Sequence, residues 1–185
     1  MAIQYDDFST ILITEDQIGE TVRRLAADIS RDYENKNLVL LGILKGSVVF
    51  MGDLMKRLTI PVQIDFMKVS SYGGGTVSKG SVDIILDIRR KDLGKCDILI
   101  VEDIIDSGKT LSYLVRYLSD KGAKSVSTCT MLDKPSRREV DFTPDYCGIK
   151  IPDEFVVGYG LDYDEKYRAL PFVAVLDRKI YEKAD

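Results

Sequence analysis

The sequence contains no histidine. That single absence excludes Ser-His-Asp and Cys-His mechanisms and any metal site built on imidazole. Carboxylates, Lys, Tyr and a hydrated metal remain to carry chemistry. Cysteine is also scarce, with three residues at 96, 129 and 147. An odd, widely spaced set gives neither a disulfide framework nor a zinc knuckle, so reduced thiols are expected. No apolar run approaches the roughly 18 residues of a spanning helix, and the N-terminus lacks a basic segment followed by an apolar core. A cytoplasmic protein without a membrane partner is expected. An excess of positive charge is missing too. The formal net charge is -4, which gives no bulk electrostatic reason to expect nucleic acid. An anionic ligand would need helix N-termini, a few placed Lys or Arg, or a divalent metal.

What is present is an ordinary globular balance, 45% hydrophobic and 30% charged over 185 residues, enough for one domain with a substantial core. Thr14 and Gln17 form a capping box, and Ile18, Val22, Leu25, Ala26, Ile29 and Tyr33 then recur at helical spacing. The first helix is predicted over about Glu15 to Glu34. Leu38 to Leu44 reads as a buried strand, and Val48 to Leu58 as a second helix punctuated by Pro61. Val62 to about Ser70 alternates as a strand, with Ser81 to Leu86 returning beside it. Between them YGGGTVSKG, residues 72 to 80, carries four glycines and few apolar anchors, the composition of a mobile segment or a long hairpin connection.

The stretch Asp97 to Thr110, DILIVEDIIDSGKT, organises the rest. An apolar strand is predicted to end at the charges Glu102 and Asp103, followed by Asp106 and the small polar run Ser107-Gly108-Lys109-Thr110 that opens a helix. Carboxylates at the C-terminal end of a parallel strand sit where open α/β sheets bind ligands, and a loop of this kind offers backbone N–H groups to a phosphate. Leu111, Leu114, Val115 and Leu118 make the helical face, Gly122 stops it, and Ser125 to Leu132 is the next strand. Alternating strands and helices imply right-handed crossovers and a parallel sheet covered by helices on both faces. From Ser136 to Pro152 the signals weaken. Two short strands, Phe155 to Val157 and Phe172 to Leu176, close the chain.

A nucleoside-triphosphate loop would need glycine at position 103, which is Asp103, and no G-x-G-x-x-G follows any strand. Paired acids at a strand end instead suit a vicinal diol or hydrated Mg²⁺. VEDIIDSGKT at 101 to 110 resembles the phosphoribosyl-diphosphate signature of the type I phosphoribosyltransferases. GILKG at 42 to 46, VSSYGGG at 69 to 75, LDKPSRR at 132 to 138 and IPDEFVVGYGLDYDEKYRAL at 151 to 170 resemble its hypoxanthine-guanine branch, particularly the short bacterial form.

That resemblance implies a mostly parallel twisted sheet with a small hood built from the chain ends. The core would span about 36 to 135, the hood about 1 to 13 and 136 to 185, and a mobile loop about 71 to 80. It implies transfer of the phosphoribosyl group from 5-phosphoribosyl-1-diphosphate to hypoxanthine or guanine, giving IMP or GMP and pyrophosphate with Mg²⁺ as cofactor, in a homodimer or homotetramer. Glu102 and Asp103 would take the ribose hydroxyls and the Mg²⁺ hydration shell. Asp106 through Thr110 would hold the 5′-phosphate. Asp106 matches the family's proposed general base, although an ordinary Asp, with a pKa of about 3.9, is a weak base and orienting the purine is the other role open to it.

Leu44, Lys45 and Gly46 match the pyrophosphate loop, with a non-proline cis peptide, and Arg168 matches the arginine on pyrophosphate. Lys134 would read the purine 6-oxo group and Phe155 would stack on the base. Ile104, the Val156 backbone and Asp162 would complete purine recognition, with Asp162 also at a second metal, and Ser71 and Tyr72 would close the lid. Two alternatives stand beside this reading: an RNA-binding regulator on the same fold, which the acidic charge disfavours, and a sister enzyme for xanthine or another base.

Overall fold

The computed structural model describes residues 5–71 and 82–182. Six strands form the main sheet in the order β4-β3-β2-β5-β6-β7. They are β2 (Leu38–Leu44), β3 (Gln63–Ser71), β4 (Val82–Leu86), β5 (Asp97–Ile105), β6 (Ser125–Asp133) and β7 (Tyr146–Lys150), parallel except for antiparallel β4. The expected mostly parallel α/β architecture is thus the one observed.

Its central strands read as continuous apolar runs because both faces are covered. Leu38, Leu40, Leu99 and Val101 point into a core shared with α1 (Glu15–Asp32) and α2 (Ser47–Met55). Val39, Leu41, Ile43, Ile98 and Ile100 point the other way, onto Leu111, Leu114 and Leu118 of α3 (Lys109–Asp120).

Local sequence sets the helix ends. The Thr14 capping box forms as expected, with the Thr14 hydroxyl accepting from the Gln17 N–H and the Gln17 side chain accepting from the Thr14 N–H at 2.9 Å. The helix ends at Asp32 instead of Glu34, because Asn35 turns the chain into the left-handed region at φ +62°. α2 stops at Met55, three residues short of the expected Leu58.

A second, antiparallel sheet, β1-β9-β8, joins the two ends of the chain: β1 (Phe8–Ile13), β8 (Val156–Val157) and β9 (Val173–Leu176), followed by the short α4 (Arg178–Tyr181). This sheet carries the 151–170 segment over the C-terminal edge of the main sheet. One boundary differs from the sequence expectation. β7, at 146–150, belongs to the main sheet, although the sequence placed everything after 135 in the hood. YCGIK has no apolar run, and it pairs through its backbone at the sheet edge. Asp145 Oδ2 anchors it by accepting from the Thr128 N–H at 2.8 Å.

Leu40 is fully buried in the middle strand pair. Leu40→Ala should lower stability by about 2 to 5 kcal/mol in urea unfolding; a loss below about 1 kcal/mol would contradict the two-faced packing of β2.

Candidate active site

The first surprise lies in β5. The strand does not end at its charges but carries Glu102 and Asp103 inside it, continuing to Ile105. Upstream, even-numbered residues face α3; beyond the acids Ile104 packs toward the α1 and α2 core and Ile105 toward α3. The facing of the strand thus inverts across the two carboxylates.

Both acids are half-buried. Glu102 Oε2 is buried and has no hydrogen-bond partner among the described residues. Burial, and then the neighbouring Asp103 charge, push the Glu102 carboxyl well above its ordinary range. Burial likewise raises Asp103 to about 6, although Oδ1 accepts the Ile104 N–H at 2.9 Å and Arg168 favours its charged form. A Cβ on Gly46 would fall inside the Asp103 carboxylate. Only glycine lets these two segments approach so closely.

Asp106 and Ser107 follow, and Gly108 adopts φ +80° as the N-cap of α3. The N-terminus of this twelve-residue helix presents backbone N–H groups beside Asp106 to Thr110, an anion-binding end. Residues the sequence reading did not single out hold this loop. Arg138 donates to the Asp106 carbonyl and pairs with the buried Asp133, the Glu139 N–H donates to the Ser107 carbonyl at 3.0 Å, and Lys109 pairs with Glu139.

Opposite β5 lie Lys45 and Gly46. The Leu44–Lys45 peptide is cis, as the resemblance implied. Gly160, at φ +102°, packs so tightly that a side chain there would overlap the Gly46 carbonyl. Arg168 Nη1 donates to the Gly160 carbonyl at 2.8 Å and Arg168 Nη2 lies 2.8 Å from Asp162 Oδ1. Asp162 therefore stands beside Arg168 and Asp103, and it does not line the neighbouring cleft. Four of the five non-glycine residues with positive φ among the described residues, Tyr159, Asp164, Glu165 and Tyr167, fall in this one segment. Such backbone clusters at ligand sites.

That cleft, about 370 Å³, is bordered by Ile104, Lys134, Phe155 and Val156, assigned to the purine from sequence, and by Asp106, assigned to the 5′-phosphate loop and to proton transfer. Lys134 is 8% exposed, and its ammonium donates to the Glu154 carbonyl at 2.9 Å. Phe155 is 41% exposed and stacks on Tyr181 with centroids 4.9 Å apart, while Tyr163 meets it edge-on at 5.8 Å. Tyr181 and Arg137 also line the cleft and were missed; the sequence around Tyr181 carries no motif, and only the fold returns α4 to the site. Of the two lid residues, Tyr72 lies outside the described residues, and Ser71 is described only as the last residue of β3.

Residues 12–164 match the phosphoribosyl transferase domain family. The chain is 48% identical over 176 residues to the hypoxanthine-guanine phosphoribosyltransferase of Bacillus subtilis, covering 95% of this chain and 97% of that one. It is 49% identical over 179 residues to the bifunctional protein TilS/HprT of Listeria monocytogenes, covering 97% of this chain but only 28% of the length of that relative. Among solved structures, a hypoxanthine phosphoribosyltransferase from Staphylococcus aureus superimposes with a TM-score of 0.92 at 46% identity, covering 98% of both chains.

The raised Asp103 value has a testable sign. A carboxyl whose folded pKa lies above its unfolded one favours folding while protonated, so its contribution fades as pH rises from about 4 through about 6. Asp103→Asn removes that loss. The variant should be more stable than the parent by about 1 to 3 kcal/mol near pH 7, with the gain shrinking toward zero below about pH 4 in ligand-free urea unfolding. A variant less stable than the parent near pH 7 would contradict the desolvated carboxylate.

Proposed function

The chain belongs to the phosphoribosyl transferase family, and from that premise we propose that it joins hypoxanthine, and also guanine, to the phosphoribosyl group of 5-phosphoribosyl-1-diphosphate, releasing pyrophosphate. The observation that carries this reading is the buried Lys134 ammonium in a cleft that Phe155 and Asp106 also line. An ammonium donor suits a 6-oxo acceptor and repels the 6-amino group of adenine. The exposed face of Phe155 offers a stacking surface, and Ile104 and Val156 give the cleft its apolar walls.

On this reading the 5′-phosphate lies at Ser107 to Thr110, where the α3 N-terminus stabilises a dianion. The ribose hydroxyls would donate to Glu102 and Asp103, giving Glu102 Oε2 the partner it lacks among the described residues. Lys45 and Arg168, with the Leu44 to Gly46 backbone, would hold the diphosphate. As the bond at C1′ breaks, positive charge develops on the ribose and negative charge on the leaving group. The two cations stabilise the latter, and the acids beside the ribose favour the former. Asp106, at the mouth of the base cleft, is placed to take the proton from the purine or to orient the ring. The assigned lid, Ser71 and Tyr72, would exclude water.

Mg²⁺ fits this donor set. It takes one or two carboxylates and otherwise waters and substrate oxygens, and Glu102 Oε2 is a buried acceptor without a partner. No group of three acidic or thiol side chains forms a ready-made metal cage among the described residues, which agrees with an ion that arrives with the diphosphate. When bound it would help neutralise the leaving group; Glu102 and Asp103 would hold the ion, and Asp162 would serve a second ion. Among the described residues no helix is long and apolar enough to cross a membrane. A cytoplasmic homodimer or homotetramer in purine salvage completes the reading.

A substrate panel with 5-phosphoribosyl-1-diphosphate tests it. Hypoxanthine and guanine should be turned over, with adenine at least about 100-fold slower; adenine turnover at the hypoxanthine rate would remove the role given to Lys134. For Asp106→Asn, kcat should fall about 100-fold or more while the hypoxanthine KM changes by less than about threefold. Equal losses in both would assign Asp106 to orienting the base.

A further inference from the structure

Lys45 and Arg168, the two cations assigned to the diphosphate, both face one carboxylate. Lys45 Nζ lies 3.0 Å from Glu165 Oε1, and Arg168 Nη2 lies 3.5 Å from Glu165 Oε2. The backbone holds Glu165 there. Tyr163 and Lys166 pair as an antiparallel bridge, closing a two-residue turn whose central residues, Asp164 and Glu165, have φ +51° and +60°. Two successive left-handed residues are the geometry of a type I′ turn, which strongly favours Asn-Gly or Asp-Gly. A glutamate at the second position has neither the freedom of glycine nor the short side chain that lets Asp or Asn tolerate such a φ. The Glu165 N–H donates to Asp162 Oδ2 at 3.0 Å, while Asp162 Oδ1 grips Arg168 at 2.8 Å. One aspartate therefore fixes both the turn and the cation. The outcome is a carboxylate with one oxygen on each cation, an arrangement that two phosphoryl oxygens would also take.

We propose that Glu165 is an internal counter-ion, displaced by the diphosphate, that sets the affinity for 5-phosphoribosyl-1-diphosphate and for product pyrophosphate. This rests on the reading of Lys45 and Arg168 given above. A carboxylate offers one charge and two acceptors; a diphosphate brings more of both and wins the same donors. When pyrophosphate leaves, Glu165 returns to the cations, so release exchanges one anion for another and does not strand two charges. The Glu165 side chain is exposed, which leaves room for it to swing aside and keeps each ion pair weak enough to exchange. Repulsion between Glu165 and the incoming anion further limits how tightly pyrophosphate is held.

The test is Glu165→Gln, which keeps the size and hydrogen-bonding capacity of the side chain and removes its charge. Calorimetric titration with sodium pyrophosphate in excess Mg²⁺ should give binding about 3- to 10-fold tighter than in the parent. The KM for 5-phosphoribosyl-1-diphosphate should fall similarly, with the KM for hypoxanthine unchanged. Unaltered pyrophosphate affinity would show that Glu165 does not compete, and weaker affinity would show that it holds the cations in place for the ligand; either result overturns the proposal. Parent turnover of hypoxanthine with 5-phosphoribosyl-1-diphosphate is measured alongside. Its absence would refute the proposed function whatever the variant does, whereas parent turnover with unimproved binding in the variant refutes the counter-ion alone.

Discussion

The carboxylate of Asp103 is pressed against the backbone of Gly46, and the carbonyl of Gly46 against Gly160. Three chain segments, far apart in sequence, meet there with only the Asp103 carboxylate between them. The rest of the structure serves to hold that contact. β5 must be central and covered on both faces, which its apolar residues and the helices on either side provide. The hood must reach over the sheet edge, which the pairing of the two chain ends in β1-β9-β8 provides. Burying Glu102 Oε2 with no hydrogen bond among the described residues opposes folding. On the proposed reading a sugar diol with a hydrated cation would complete this arrangement.

Around that contact the site divides into three regions with different physics. The α3 N-terminus, strapped by Arg138, presents backbone N–H groups of the kind that suit an anion. The cleft between Lys134 and Phe155 mixes apolar walls with the charged Asp106, Lys134, Arg137, Asp153 and Glu154, and the Glu154 carbonyl sets the direction of the Lys134 ammonium. The region of Lys45, Asp162, Glu165 and Arg168 is a network of opposite charges, exposed at Lys45 and Glu165 and half-buried at Asp162 and Arg168, on a backbone rich in left-handed residues. On the proposed reading these three environments would serve positioning of a phosphate, reading of a base and release of a highly charged product respectively.

Much of this was legible in the sequence where local rules and tertiary demands agree. The Thr14 capping box, the Leu38 to Leu44 run and the α3 face with Gly122 behind it each specify their element independently of context. Legibility failed where the two conflict. A strand read by propensity ends at Glu102, but the real strand continues through both half-buried acids to Ile105, and such violations gather at functional positions. β7 has an unremarkable composition and is defined by its neighbour, so no periodicity marks it. Arg138 and Glu165 lie within stretches that carry the resemblance and Tyr181 lies in none, but no local rule marks any of the three. Their roles arise from a strap, a returning terminal turn and a left-handed hairpin that only the folded chain brings to the site.

The raised pKa of the Asp103 carboxyl in β5 is open to direct observation. A carbon-13 NMR titration of the Asp103 side-chain carboxyl in the ligand-free protein reads its protonation without any unfolding reference. A midpoint of about 6 is expected. A midpoint at or below the ordinary Asp value of about 3.9 would contradict it, showing the carboxylate to be solvated or already paired.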